Sequence, residues 1–172
     1  VFVSSVKVHG ESTLPGQALR ADDPPQPQDA YGQSKREAED GLRDLARGTG
    51  MELVIVRPPL VYGQGVRANF RALARAAASG WPLPLGAVHN QRSFVALDNL
   101  VDLLVRCGTH PAAAGRAFLV RDGQDLSTTA LLQGLARAQG RQARLWPVPV
   151  ALLQWACRLG GRSAMLQRLC GN

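Results

Sequence analysis

The sequence is poor in cysteine, in aromatic residues and, beyond Asp125, in acids, and it has no long hydrophobic run. Cys107, Cys157 and Cys170 stand far apart, with no Cys-x-x-Cys pair and no histidine at zinc spacing. That excludes a disulfide scaffold and a zinc ribbon, and predicts free thiols in a reducing cytosol. No apolar stretch approaches the ~20 residues of a membrane span. The most apolar segment, Val148 to Cys157, is shorter and carries Gln154. Val1-Phe2-Val3 carries no basic n-region, so a signal peptide is not expected there. The absence of a Gly-X-Y period or a low-complexity tract removes the fibrous classes, and no internal repeat is visible.

What is present is enough for a core: 172 residues, 45% of them hydrophobic. The net charge of +7 suggests nucleic acid until its location is read. Residues 1–125 carry 14 bases and 13 acids, whereas residues 126–172 carry six arginines and no acid. Those arginines alternate with Leu, Trp and Ala at helical spacing, without a recognition motif. They read as a solvated helix face, so no nucleic-acid partner is expected.

Along the chain, Val1-Phe2-Val3 ends in Ser4-Ser5 and reads as the end of a buried strand. A polar loop follows, through Gly10, Gly16 and Asp22-Asp23-Pro24-Pro25-Gln26-Pro27. Asp29 is placed to cap a helix from about Ala30 to Arg47, with Ala38, Leu42 and Leu45 on its apolar face and Gly48 or Gly50 at its end. Leu53-Val54-Ile55-Val56 is a second buried strand, which makes a right-handed, parallel βαβ unit. Further on, Asn69 to Ser79 reads as a helix with Phe70, Leu73, Ala74 and Ala77 on one face. Arg92 to Leu97 alternates like a short strand, and Asp98 is placed to cap a helix through Cys107. Ala117 to Val120 is a strand. Helices follow at Leu131 to Ala138, capped by Ser127, and at Val150 to Leu159.

Tyr31 and Lys35 stand four residues apart on the first helix and so share a face. A free phenol titrates near ~10 and is a poor base at neutral pH, but a nearby cation favours the phenolate. Such a tyrosine can take a proton from an alcohol while hydride leaves its carbon, or return it. Ser5, at the C-terminal end of a parallel strand where ligands gather in open α/β sheets, can hydrogen-bond the same oxygen.

Four segments in order resemble one family. Ser4-Ser5-Val6-Lys7-Val8-His9-Gly10-Glu11 is similar to the Ser-Ser-x-x-Val-Tyr-Gly-Glu segment of extended short-chain dehydrogenases/reductases, the NAD-dependent epimerase/dehydratase family. Asp23 to Pro27 followed by Tyr31-Gly32-Gln33-Ser34-Lys35 resembles its acidic-Pro loop and Tyr-Gly-x-Ser-Lys motif. Val56-Arg57-Pro58-Pro59-Leu60-Val61-Tyr62-Gly63 and Gln91-Arg92-Ser93-Phe94-Val95-Ala96-Leu97-Asp98-Asn99 resemble its next two segments. The resemblance implies the C-terminal part of a Rossmann-type, doubly wound parallel α/β sheet plus a smaller mixed α/β substrate lobe. Its expected division is 1–66 for the cofactor-binding part and 67–172 for the lobe and a helical tail interleaved with the sheet.

It also implies roles. Tyr31 is the acid/base, Lys35 holds the nicotinamide ribose and depresses the tyrosine pKa, and Ser5 is the catalytic hydroxyl. Ser4 is a cofactor-side contact, and Pro58 and Pro59 border the nicotinamide. Arg92 meets the diphosphate of a nucleotide-sugar, a role suited to a planar, permanently charged fork. Asn69 is a further candidate substrate contact, as are Val6 and Lys7, although helix N-capping is the simpler account of Asn69. Val6 and Lys7 replace the Asp-Glu of the family's dehydratases, so 4,6-dehydration is not expected. Leu60 replaces a frequent Asn, and His9 stands where Tyr is usual, with loop packing its expected role.

The expected cofactor is NAD or NADP, with no metal. The expected substrate is a nucleotide-diphosphate sugar, and the expected activity is C4 epimerisation or 4-keto reduction in the cytoplasm, for bacterial surface polysaccharide. A homodimer of the full-length protein is also expected, and a non-catalytic, arginine-tailed binding module is the alternative. The family's Gly-x-x-Gly-x-x-Gly phosphate loop is not in residues 1–172, so a longer protein is expected, of which this part alone binds NAD(P) poorly and leaves its first strand as an open edge.

Overall fold

The structure is a computed structural model describing residues 1–14, 16–65, 69–159 and 170, with the backbone alone at 69 and 156–159. It divides into two compact units: Val1–Gln64 with Ser93–Gln124, and Gly65–Arg92 with Asp125–Asn172.

In the first unit, β1 (Phe2–Val3), β2 (Ile55–Arg57) and β5 (Ala117–Leu119) form a parallel sheet in the order β1-β2-β5. Phe2 pairs with Ile55, and Ile55 with Ala117. The helix α1 (Ala30–Thr49) joins β1 to β2. Asp29 caps it, its carboxylate accepting from the Gly32 amide at 2.7 Å, and Gly50 ends it in the left-handed region at φ 69°. Side chains alternate along β2, so its two faces meet different partners. Val54 and Val56 pack with Leu100 and Cys107 of α3 (Leu97–Thr109), whereas Arg57 reaches Glu39 of α1. The sheet therefore lies between two helical layers.

A second parallel pair, β3 (Leu60–Tyr62) and β4 (Phe94–Ala96), completes this unit, with Leu60 opposite Phe94. The strand β3 is absent from the sequence reading, and two further details differ from it. Asp98 does not cap α3; it lies in the first turn, and the cap is Ala96, which offers no side-chain bond. Leu45, expected on the apolar face of α1, is exposed, and the fully buried residues of that helix are Gly32 and Glu39.

The second unit packs α2 (Asn69–Ala78) against α4 (Thr128–Ala138), with α5 (Val150–Leu159) after them in the chain. Its core joins Ala77, Leu132 and Ala136 to Leu73, Leu83, Leu85 and Leu145. Ser127 caps α4, accepting from the Ala130 amide at 3.0 Å. Among the described residues no helix is long and apolar enough to cross a membrane.

Candidate active site

The chain leaves β1 at Ser4-Ser5 and turns at once into a 3₁₀ turn, Val6–His9, which Ser5 caps by accepting from the Lys7 amide at 3.3 Å. Ladder bonds continue past both strand ends: the Ser4 amide donates to Val56 O at 2.8 Å and the Val6 amide to Pro58 O at 3.0 Å. Ser5 and Val6 thus lie beside Pro58, at the C-terminal ends of two adjacent parallel strands. Pro58 is buried and Pro59 half-buried.

The first turn of α1 presses on the 3₁₀ turn. A Cβ at Gly32 would lie 2.7 Å from the Lys7 carbonyl oxygen, so only glycine permits this approach. The Lys7 ammonium pairs with Asp29 and, at 3.1 Å, with Glu11. Burial works against its charge, but the two carboxylates outweigh burial and raise its pKa above the ordinary value. Lys7, expected beside substrate, thus ties the 3₁₀ turn to the N-terminus of α1.

Tyr31 and Lys35 stand one turn apart on α1, and Tyr31 is 52% exposed. The Lys35 ammonium lies 5.9 Å from the centre of the Tyr31 ring and 5.1 Å from that of Phe2, and it donates to Val3 O at 3.0 Å. The cation therefore sits at the end of β1 with the phenol beside it. Ser4 is buried, at 3% exposure, and the alternation that turns Phe2 toward Lys35 puts it on the α1 side of the strand.

Beneath these residues lies a network that sequence reasoning missed. Glu39 continues the face of Tyr31 and Lys35 by one further turn and is 0% exposed. Arg57, at the end of β2 and 2% exposed, grips it with two bonds: Nε to Oε1 at 2.9 Å and Nη2 to Oε2 at 2.6 Å. Arg57 Nη1 donates to Ala21 O and to His9 Nε2, each at 2.8 Å. Because the guanidinium can only donate, His9 accepts and carries its proton on Nδ1. Burial, then the charge of Arg57, hold the His9 pKa below its ordinary value. Burial opposes ionisation of Glu39, but the bonds and charge of Arg57 outweigh it, and the carboxyl stays below its ordinary value.

The remaining candidates belong to the second unit. Arg92 belongs to the second unit, where its amide and that of Leu126 exchange bonds at 3.1 and 3.0 Å, and burial of its side chain lowers its pKa. The side chain of Asn69 lies outside the described residues.

Comparison with known proteins decides the family. The pattern of the NAD dependent epimerase/dehydratase family matches residues 1–120. The chain belongs to that family. It is 46% identical over 173 residues to a UDP-glucose 4-epimerase of Vibrio cholerae, covering all of this chain and 53% of that protein. Among solved structures, it resembles a UDP-glucuronic acid 4-epimerase of Bacillus cereus in complex with NAD, with a TM-score of 0.70 and 21% identity, over 84% of this chain and 47% of that one. It resembles RMD of Pseudomonas aeruginosa, complexed with NADPH, with a TM-score of 0.69 and 22% identity, over 84% and 52%. Those two likenesses carry the fold, that of a Rossmann-type domain in part. The chain spans about half the length of the curated relatives it matches.

Proposed function

We propose that the chain supplies the proton-transfer half of a nucleotide-sugar 4-epimerase. The observation that carries this reading is the cluster at the end of β1: an exposed phenol, an ammonium 5.9 Å from its ring, and Ser5 in the turn packed on the same helix. Tyr31 takes the proton of the sugar C4 hydroxyl and returns it. The Lys35 ammonium stands beside the phenol that makes this exchange. Ser5 donates to the same sugar oxygen and orients it. The identity with the Vibrio cholerae protein favours a UDP-hexose as substrate. The sheet unit, residues 1–64 with 93–124, then carries the proton chemistry, and Arg92 of the second unit meets the diphosphate.

The residues present suit the nicotinamide side of an NAD(P) site. The Lys35 ammonium, at the end of β1, would hold a ribose hydroxyl, and Pro58-Pro59 follows the end of the neighbouring strand. The chemistry that NAD(P) would supply there is the uptake and return of the C4 hydride. The reaction belongs in the cytoplasm, in the supply of sugars for surface polysaccharide.

The test uses the protein at the full length its gene encodes, incubated with UDP-galactose and NAD. Formation of UDP-glucose without net change in NADH supports the epimerase. Net consumption of NADPH with a 4-keto sugar in its place marks a reductase. Tyr31→Phe is expected to lower turnover by about 10²- to 10⁴-fold with nucleotide binding retained. An unchanged rate removes Tyr31 from the mechanism.

A further inference from the structure

Three segments bear the site: the 3₁₀ turn that Ser5 caps, the helix of Tyr31 and Lys35, and the strand end that leads into Pro58-Pro59. Two of them make a buried polar contact with one guanidinium, which the third carries. His9, the last residue of the 3₁₀ turn, accepts from Arg57 Nη1. Glu39, on α1 two turns beyond Tyr31, takes Nε and Nη2. Arg57 itself is the residue before Pro58.

We infer that Arg57, clamped by Glu39 and held to His9, is the positioning residue of this site. It fixes the distance from the Ser5 turn to the Tyr31 helix without touching substrate. The inference rests on the function proposed above and adds residues to it.

The geometry argues for position as well as cohesion. A bidentate carboxylate–guanidinium pair has one preferred, coplanar arrangement, unlike an apolar contact, which can slide. Glu39 is reached on one edge by Arg57 and also at Oε2 by Arg43 Nη2, at 3.1 Å. The α1 helix therefore cannot rotate about its axis, and Tyr31 cannot swing away from Ser5, without breaking buried charged bonds. Arg57 Nη1 divides its donors between His9 and Ala21 O, so the polar loop before α1 is tied to the same point.

The experiment compares variants in the full-length protein, with folding followed by circular dichroism at the assay temperature. Glu39→Gln and Arg57→Lys keep one hydrogen-bonded contact and lose the two-pronged grip. Misplacement of reacting groups by an ångström can cost about 10²-fold, so kcat is expected to fall about 10- to 100-fold, with KM for UDP-galactose within about twofold of the parent. Should either variant fail to fold, His9 gives the second arm. His9→Leu removes the acceptor for Nη1 and should lower kcat, whereas His9→Gln restores an acceptor oxygen and should recover it. Folded variants with parental kcat, or a Leu and a Gln variant of equal kcat, overturn the inference. If Tyr31→Phe retains full turnover in the same assay, the proposed function fails instead, so the two failures are told apart.

Discussion

A methyl group at Gly32 would sit 2.7 Å from the Lys7 carbonyl oxygen, closer than a side chain can come to a backbone oxygen. Gly41, ten residues nearer the C-terminus than Tyr31 on the same helix, has nothing within 4 Å of the equivalent point. These two glycines make a controlled pair. Intrinsic helix propensity favours alanine over glycine at both by about 0.5–1 kcal/mol. At Gly32 the clash opposes that gain, and forced shifts of this kind cost about 1–3 kcal/mol. Gly41→Ala is therefore expected to raise the urea midpoint and Gly32→Ala to lower it. Equal shifts in the two variants would show that α1 does not press on the 3₁₀ turn. The Tyr-Gly-x-Ser-Lys motif placed this glycine beside the candidate acid/base in the sequence, but it did not show what the glycine is for. The reason is a contact with a carbonyl 25 positions earlier, which no local pattern carries.

At the scale of elements, the helices were legible where their ends are chemical. Asp29 and Gly50 bound α1, and Ser127 starts α4, as capping preferences require. The start of α3 was not legible, because its cap comes from a distant loop. Asp122, beyond β5, accepts from the Ala96 amide at 3.1 Å, from Asn99 Nδ2 at 2.8 Å and from the Tyr62 hydroxyl at 2.6 Å. One carboxylate thus stands where the sequence suggested Asp98, and it also ties in β3, a strand of three residues that exists through its pairing with β4. The Arg57–Glu39–His9 network escaped for the same reason: positions 9, 39 and 57 share no spacing. His9 and Arg57 stood in two of the motif segments, but nothing in the sequence joined them to Glu39.

The Tyr62 bond, then that of Asn99, holds the Asp122 carboxyl below its ordinary value, and the phenol of Tyr62 is raised in turn. A carboxyl lowered in the fold adds stability above its unfolded value of 3.8, and that stability is lost as pH falls through the folded value. Asp122→Asn is therefore expected to cost about 1 kcal/mol at pH 7, through the lost charge at a helix N-terminus. The difference from the parent should shrink toward zero in urea titrations near pH 3. A difference that stays constant with pH would mean that the charge of Asp122 does no work at α3.

For the whole molecule, the shifted groups combine into one stability profile. His9, Glu39 and Asp122 all lie below their ordinary values, so for each the unfolded chain binds more protons across the shifted interval, and stability rises with pH there. The His9 interval opens at 6.5 and runs downward, and the two carboxyls follow below 4.5 and 3.8. Lys7 has the opposite sign. Raised above 10.5, it contributes below that pH, and the contribution is lost as pH climbs through its folded value. The chain should be most stable from about pH 7 to 10, with a first loss as pH falls below 6.5, where the His9 interval opens. Protonating His9 places a second positive charge against Arg57 and removes the acceptor for Nη1, so that loss is the opening of the network itself. The urea midpoint, measured from pH 8 to 5, is expected to fall in the parent and to stay level in His9→Gln, whose amide does not titrate. A parent midpoint that is flat over this range would mean that His9 is not held neutral, and the tie between Arg57 and the Ser5 turn would lose its physical basis.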